Sequence, residues 1–86
     1  MPKVVFTTYF DKKLRKKPPR MQGALARTIA RLEENPRYPG LNVHRVQGEA
    51  GVWEAYVDRS NRLTFHYDSG RIVLRNNCSH DILRRP

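Results

Sequence analysis

The chain has 86 residues, 38% of them hydrophobic and 29% charged, with 17 Lys and Arg against 8 Asp and Glu and a formal net charge of +9. At this length one domain with a thin core is expected, burying roughly 60–65% of the unfolded surface, and the apolar content excludes a chain too polar to fold. No apolar run approaches the ~20 residues of a bilayer span, "MPKVVFTTYF" lacks the features of a secretory signal, and the single cysteine, Cys78, cannot close an intramolecular disulfide, so a cytoplasmic protein with no membrane partner is expected.

"KVVFT" reads as a short strand, with Val4, Val5 and Phe6 β-branched or aromatic. Thr7 and Thr8 offer helix N-caps, and Thr8 with Asp11 resembles a capping box. Phe10 and Leu14 then form a narrow apolar stripe on a first helix, which must end before Pro18-Pro19. Pro19 suits the first turn of a second helix, "PRMQGALARTIARLEEN", with Met21, Leu25, Thr28, Ile29 and Leu32 on one face and Arg20, Arg27 and Arg31 on another. Gly23 weakens that helix by about 1 kcal/mol, and close packing against a neighbour would account for it.

"PRYPGLN" is a loop, after which the pattern changes to strands: "VHRVQ", a turn at Gly48–Gly51, "VWEAYVD", a turn in "DRSN", "RLTFHY", a turn in "DSG", and "RIVLRN". "SHDILRR" is long enough for one helical turn capped by Ser79. Period-2 alternation puts Leu63, Phe65, Tyr67, Ile72 and Leu74 on one sheet face and Arg62, Thr64, His66, Arg71 and Arg75 on the other. The expected fold is α+β: a short strand, two helices and a four-stranded antiparallel meander, with the helices on the apolar face. Arginines and a histidine on the opposite face suggest an anion site.

The charge is uneven. Residues 1–40 carry ten bases and three acids, and all five lysines lie within the first seventeen residues; the second half uses arginine alone. Lysine suits diffuse phosphate attraction and arginine suits placed, bidentate contacts. Metal binding is not supported: Cys78 and His80 are two apart, with no CxxC or HxxxH. "GEAG" matches no phosphate-cradling loop, and the serines sit in turn contexts. Acid–base chemistry on RNA is the class that fits, because RNA carries its own nucleophile in the 2′-OH. It requires a proton acceptor, a proton donor and cations that hold the phosphate. His44, His66 and His80, with Arg45, Arg62 and Arg75 near them in sequence, supply these types.

The order of elements, with "VHRVQGEAGVWEAYVDRSNRLTFHY" and "IVLRNNCSHDIL", resembles the RelE/ParE toxin superfamily over nearly the whole chain. The resemblance implies a single RelE-like toxin domain over residues 1–86. It implies a type II toxin acting as a metal-independent, ribosome-associated mRNA endoribonuclease without cofactors, restrained by a cognate antitoxin in a hetero-oligomer. The alternative is a ParE-like, non-catalytic inhibitor of gyrase, or a catalytically inactive relative that binds RNA or protein. It places Arg62 where nuclease members contact the scissile phosphate, His44 where they carry a histidine or glutamate, and His80 on a C-terminal catalytic histidine. Arg75 approximates a phosphate-binding arginine. Arg45, His66, Lys12, Lys13, Lys16 and Lys17 are expected to contact RNA, and Tyr56 or Trp53 to stack on a base. The chain departs from the pattern at Ser60, where one branch has an acid, and in having no tyrosine after Tyr67.

Overall fold

A computed structural model of the chain describes residues 3–79. Strand β1 (Lys3–Phe6) leads into helices α1 (Thr8–Arg15) and α2 (Pro19–Glu34) and a short 3-10 turn at Pro39–Leu41. The strands β2 (His44–Arg45), β3 (Val52–Tyr56), β4 (Asn61–Asp68) and β5 (Arg71–Ser79) follow. They form a mixed five-stranded sheet in the order β1-β5-β4-β3-β2. The meander β2–β5 is antiparallel as expected, and β1 adds in parallel to β5 with Val4 opposite Ile72 and Phe6 opposite Leu74. Among the described residues no helix is long and apolar enough to cross a membrane.

The cap of α1 is Thr7 rather than the expected Thr8–Asp11 box. Thr7 has the extended backbone an N-cap needs, and its hydroxyl oxygen accepts from the Phe10 N–H at 3.2 Å. The same hydroxyl donates to the Leu74 carbonyl at 2.8 Å, so one side chain caps the helix and fastens it to β5. Thr8 is already helical, and Asp11 pairs instead with Arg15 one turn on, at 2.9 Å. Pro19 opens α2 as expected, and Gln22 reaches back to the Lys17 and Arg15 carbonyls at 2.9 and 3.3 Å, satisfying acceptors at the end of α1.

The face of α2 that carries Leu25, Thr28, Ile29 and Leu32 is buried. It meets Phe10 of α1 and the sheet residues Ala55, Leu63, Phe65, Ile72 and Leu74 in one core, closed by Leu41. Gly23 is not a site of close packing: a Cβ there would meet only the flexible end of Arg27, at 3.5 Å. Tyr67 points to the helix side but lies beyond the core and remains 46% exposed. Strand β2 is shorter than "VHRVQ" because the chain turns at once, with Val46 N–H donating to the Val52 carbonyl at 2.9 Å and Gly48 and Gly51 taking positive φ.

One irregularity shapes the other face. Thr64 lies opposite Asn76, but Phe65 lies opposite Leu74, so Arg75 is an extra residue in β5, a β-bulge. Leu74 and Asn77 both keep to the helix side, where Asn77 Nδ2 donates to the Phe10 carbonyl at 3.2 Å. Arg75 and Asn76 are thereby both turned to the charged face.

Candidate functional site

The sheet face away from the helices collects polar side chains from four strands. Register places His44 of β2 opposite Glu54 of β3, Glu54 opposite Thr64 of β4, and Tyr56 opposite Arg62. Residues two apart on a strand share a face about 6.6–6.8 Å apart, so Arg62, Thr64 and His66 form a row along β4. Glu54 sits beside that row and Arg75 projects from the bulge.

Glu54 is the centre of the first cluster. Its side chain is 8% exposed, and its Oε1 lies 2.9 Å from His44 Nε2 and 4.0 Å from Arg62 Nε. A carboxylate so far removed from water requires polar partners, and these two supply them. The other ring nitrogen of His44, Nδ1, is 2.8 Å from the Asn42 carbonyl. A carbonyl can only accept, so Nδ1 carries a proton. With Nδ1 committed to that carbonyl, Nε2 is the nitrogen that faces the Glu54 carboxyl.

Arg62 is held by the turn before it. Its Nη1 donates to the Asp58 and Asn61 carbonyls at 2.6 and 3.0 Å, and its guanidinium lies 4.7 Å from the centre of the Tyr56 ring. That turn is built by Asp58, whose Oδ1 accepts from the Ser60 N–H, the Asn61 N–H and Asn61 Nδ2, each at 2.9 Å. Burial pushes the Asp58 carboxyl up, but those hydrogen bonds and the charge of Arg20 outweigh it and hold the group below the usual carboxylate value.

The second cluster is His66 and Arg75, with Arg75 Nη1 3.0 Å from His66 Nδ1. A guanidinium only donates, so His66 Nδ1 accepts and its proton is on Nε2. His66 thus presents its Nε2–H on the side away from Arg75. Thr64, fully buried, lies between the two clusters.

No protein-family model matches the sequence, and no curated protein matches it. Solved structures do match. YafQ from E. coli strain BL21(DE3) superposes with a TM-score of 0.78 at 16% identity, over 99% of this chain and 100% of that one. A chain of the toxin–antitoxin complex RelBE2 from Mycobacterium tuberculosis gives 0.75 at 25% identity, over 93% and 100%. The chain has the RelE-like toxin fold. A YoeB/ParE toxin from Agrobacterium tumefaciens is similar too, with a TM-score of 0.73 at 19% identity over 91% of this chain and 98% of that one.

Within this RelE-like fold the residues expected from sequence are distributed unequally. His44 and Arg62 meet around Glu54, and His66 meets Arg75. Arg45 does not join them: alternation along β2 turns it to the helix side, where its guanidinium lies 5.2 Å from the centre of the Trp53 ring. Trp53 shares that side, so of the two aromatic candidates only Tyr56 is at the site. Lys13 reaches the edge of the charged face, donating to Asn76 Oδ1 at 2.8 Å, whereas Lys12 and Lys16 are exposed on and just after α1 and Lys17 follows in the turn. His80 lies outside the described residues, as does the turn expected after Ser79. Among the described residues no three His, Cys, Asp or Glu side chains converge as metal ligands would.

Glu54 is the residue that sequence reasoning missed. Its signal was present: in "VWEAY" it is an acid between hydrophobic positions on the half-strand that faces Arg62 and His66.

Proposed function

We propose that this protein is the toxin of a type II toxin–antitoxin pair and acts as a metal-independent endoribonuclease on mRNA, with the ribosome as the place where it meets its substrate. The observation that carries the reading is the gathering of His44, Glu54 and Arg62 beside His66 and Arg75 on one sheet face. Solved relatives described as toxin–antitoxin complexes, DinJ–YafQ and RelBE2, support an antitoxin partner.

The chemistry follows from the groups. The RNA 2′-oxygen loses its proton and attacks the adjacent phosphorus. The bond to the 5′-oxygen breaks, and that oxygen takes up a proton, leaving a 2′,3′-cyclic phosphate and a 5′-OH. Arg62 and Arg75 offset the charge that builds on the phosphate oxygens. His44 donates to the leaving oxygen once its Nδ1–H exchanges the Asn42 carbonyl for the substrate, while Glu54 holds Nε2 and orients the ring. His80, which the family resemblance places on a catalytic C-terminal histidine, is then the group left to remove the 2′-OH proton. Tyr56 offers a ring for the neighbouring base.

The test is expression of the wild type and of Arg62→Ala, His44→Ala and His80→Ala, scored for growth and for cleaved mRNA with cyclic-phosphate ends. Cleavage that falls by at least about 100-fold in the variants is expected. Undiminished cleavage in the variants would sink the site.

One observation favours a second reading. His44 and Arg62 are both engaged by internal acceptors, as in a site whose groups are structural. A non-catalytic, gyrase-directed toxin would be indifferent to the three substitutions, and its expression would induce DNA-damage signalling in place of translation arrest.

A further inference from the structure

On the opposite side of β2 the 35–43 segment and the sheet enclose an open groove of about 730 Å³, a size typical of ligand sites. Its walls include Tyr38, Trp53 and Tyr67, with Arg37, Asn35 and Asn42. Trp53 and Tyr67 meet edge to face, with ring centres 6.3 Å apart. Tyr38 and Tyr67 remain substantially exposed although the core lies close by. Cations attend the aromatics: Arg45 lies over Trp53 at 5.2 Å and Arg31 over Tyr38 at 5.3 Å. Among the described residues no acid lines the groove; Glu33 and Glu34, which end α2, are not part of its walls.

We propose that this groove is a second RNA subsite, in which a base of a single strand stacks on Tyr67 beside the edge of Trp53 while Arg37 and Arg45 hold the adjoining phosphates. Flat aromatic surfaces interleaved with arginine, plus amides able to meet base edges, are the chemistry of single-stranded nucleic acid recognition. An acidic peptide would answer the cations but would leave the exposed ring surfaces unused. The inference rests on the RNA reading above and extends it by giving the strand a course. Strand β2 is an edge strand only two residues long, with His44 on the charged face and Arg45 on the groove face. A strand of RNA that turns about this edge passes directly from the candidate cleavage site to the groove. Asn42 links the two: it lines the groove, and its carbonyl accepts from His44 Nδ1 at 2.8 Å.

Trp53 is the only tryptophan in the chain, so its fluorescence reports from a wall of the groove. The full chain is titrated with a short 2′-O-methyl oligoribonucleotide, which has no free 2′-OH to react. Quenching of Trp53 is expected, with affinity about 5- to 150-fold weaker in Tyr67→Ala, the range that base stacking supplies. Arg37→Glu, at an exposed position, guards against loss of folding; it should weaken binding and lower the salt dependence by about one counterion. Cleavage of unmodified RNA is followed alongside in these variants and in Arg62→Ala. Arg62→Ala should lose cleavage yet retain the quench. Absence of quenching, or unchanged affinity in both groove variants, overturns the subsite and leaves the cleavage reading intact if cleavage still depends on Arg62. Quenching without any cleavage overturns the nuclease reading and keeps the subsite. Quenching by poly-glutamate but not by RNA overturns the RNA assignment in favour of an acidic peptide.

Discussion

Replacing Glu54 by glutamine preserves the volume of a buried side chain and removes its charge. The substitution tests whether Glu54 and His44 form one unit. A hydrogen bond to a charged group contributes about 1.5–3 kcal/mol, and an exposed ion pair about 0.2–1 kcal/mol. Here the carboxylate is 8% exposed and the imidazole 50% exposed, so the pair lies between those limits, at about 1 kcal/mol. The contact from Arg62, at 4.0 Å, adds little. The measurement is a double-mutant cycle by urea unfolding, comparing Glu54→Gln, His44→Ala and the double variant. A coupling of about 1 kcal/mol, or about 0.3–1 M in urea midpoint, is expected. Additivity within about 0.3 kcal/mol would refute the pairing, and with it the role of Glu54 in orienting the ring.

Gly23→Ala should stabilise the protein by about 1 kcal/mol and raise Tm by about 4–8 °C, since the added methyl meets only the end of Arg27; an unchanged or lowered Tm by calorimetry would show that α2 is constrained there. Asp58, held below the usual carboxylate value when folded, contributes stability that is present above its unfolded pKa and is lost as pH falls through the lower folded value. Acid unfolding followed below about pH 4 should therefore be less steep in Asp58→Asn than in the wild type. For His66, nitrogen NMR should show an unprotonated Nδ1 and a protonated Nε2, and Arg75→Ala should release that preference; an Nδ1–H tautomer in the wild type would exclude the contact with Arg75.

The sequence makes the long periodic elements legible because each answers to a single rule. The apolar positions of α2 are buried as its 3.6-residue period requires, and Leu63, Phe65, Ile72 and Leu74 meet them as the period of 2 requires. What it leaves obscure depends on backbone details that side-chain patterns do not encode. Thr7 and Thr8 are chemically equivalent caps, and the choice falls on Thr7 because its hydroxyl also reaches Leu74, a contact 67 residues away. Arg45 looked like a companion of His44 because the two are adjacent, yet adjacency in a strand means opposite faces. At the candidate site the arginines and histidines stood out by type, whereas Glu54 becomes informative only once β2, β3 and β4 are in register.

The bulge at Arg75 separates the two faces of β5. Remove residue 75 and β5 alternates without interruption: Ile72, Leu74 and Asn77 still point to the helices, and Asn76 still faces Thr64. The core has no need of that position. The extra residue sets a cation on the polar face while Leu74 and Asn77 keep their places on the apolar one, so the charge of this face and the packing of the other are specified by different positions of one strand.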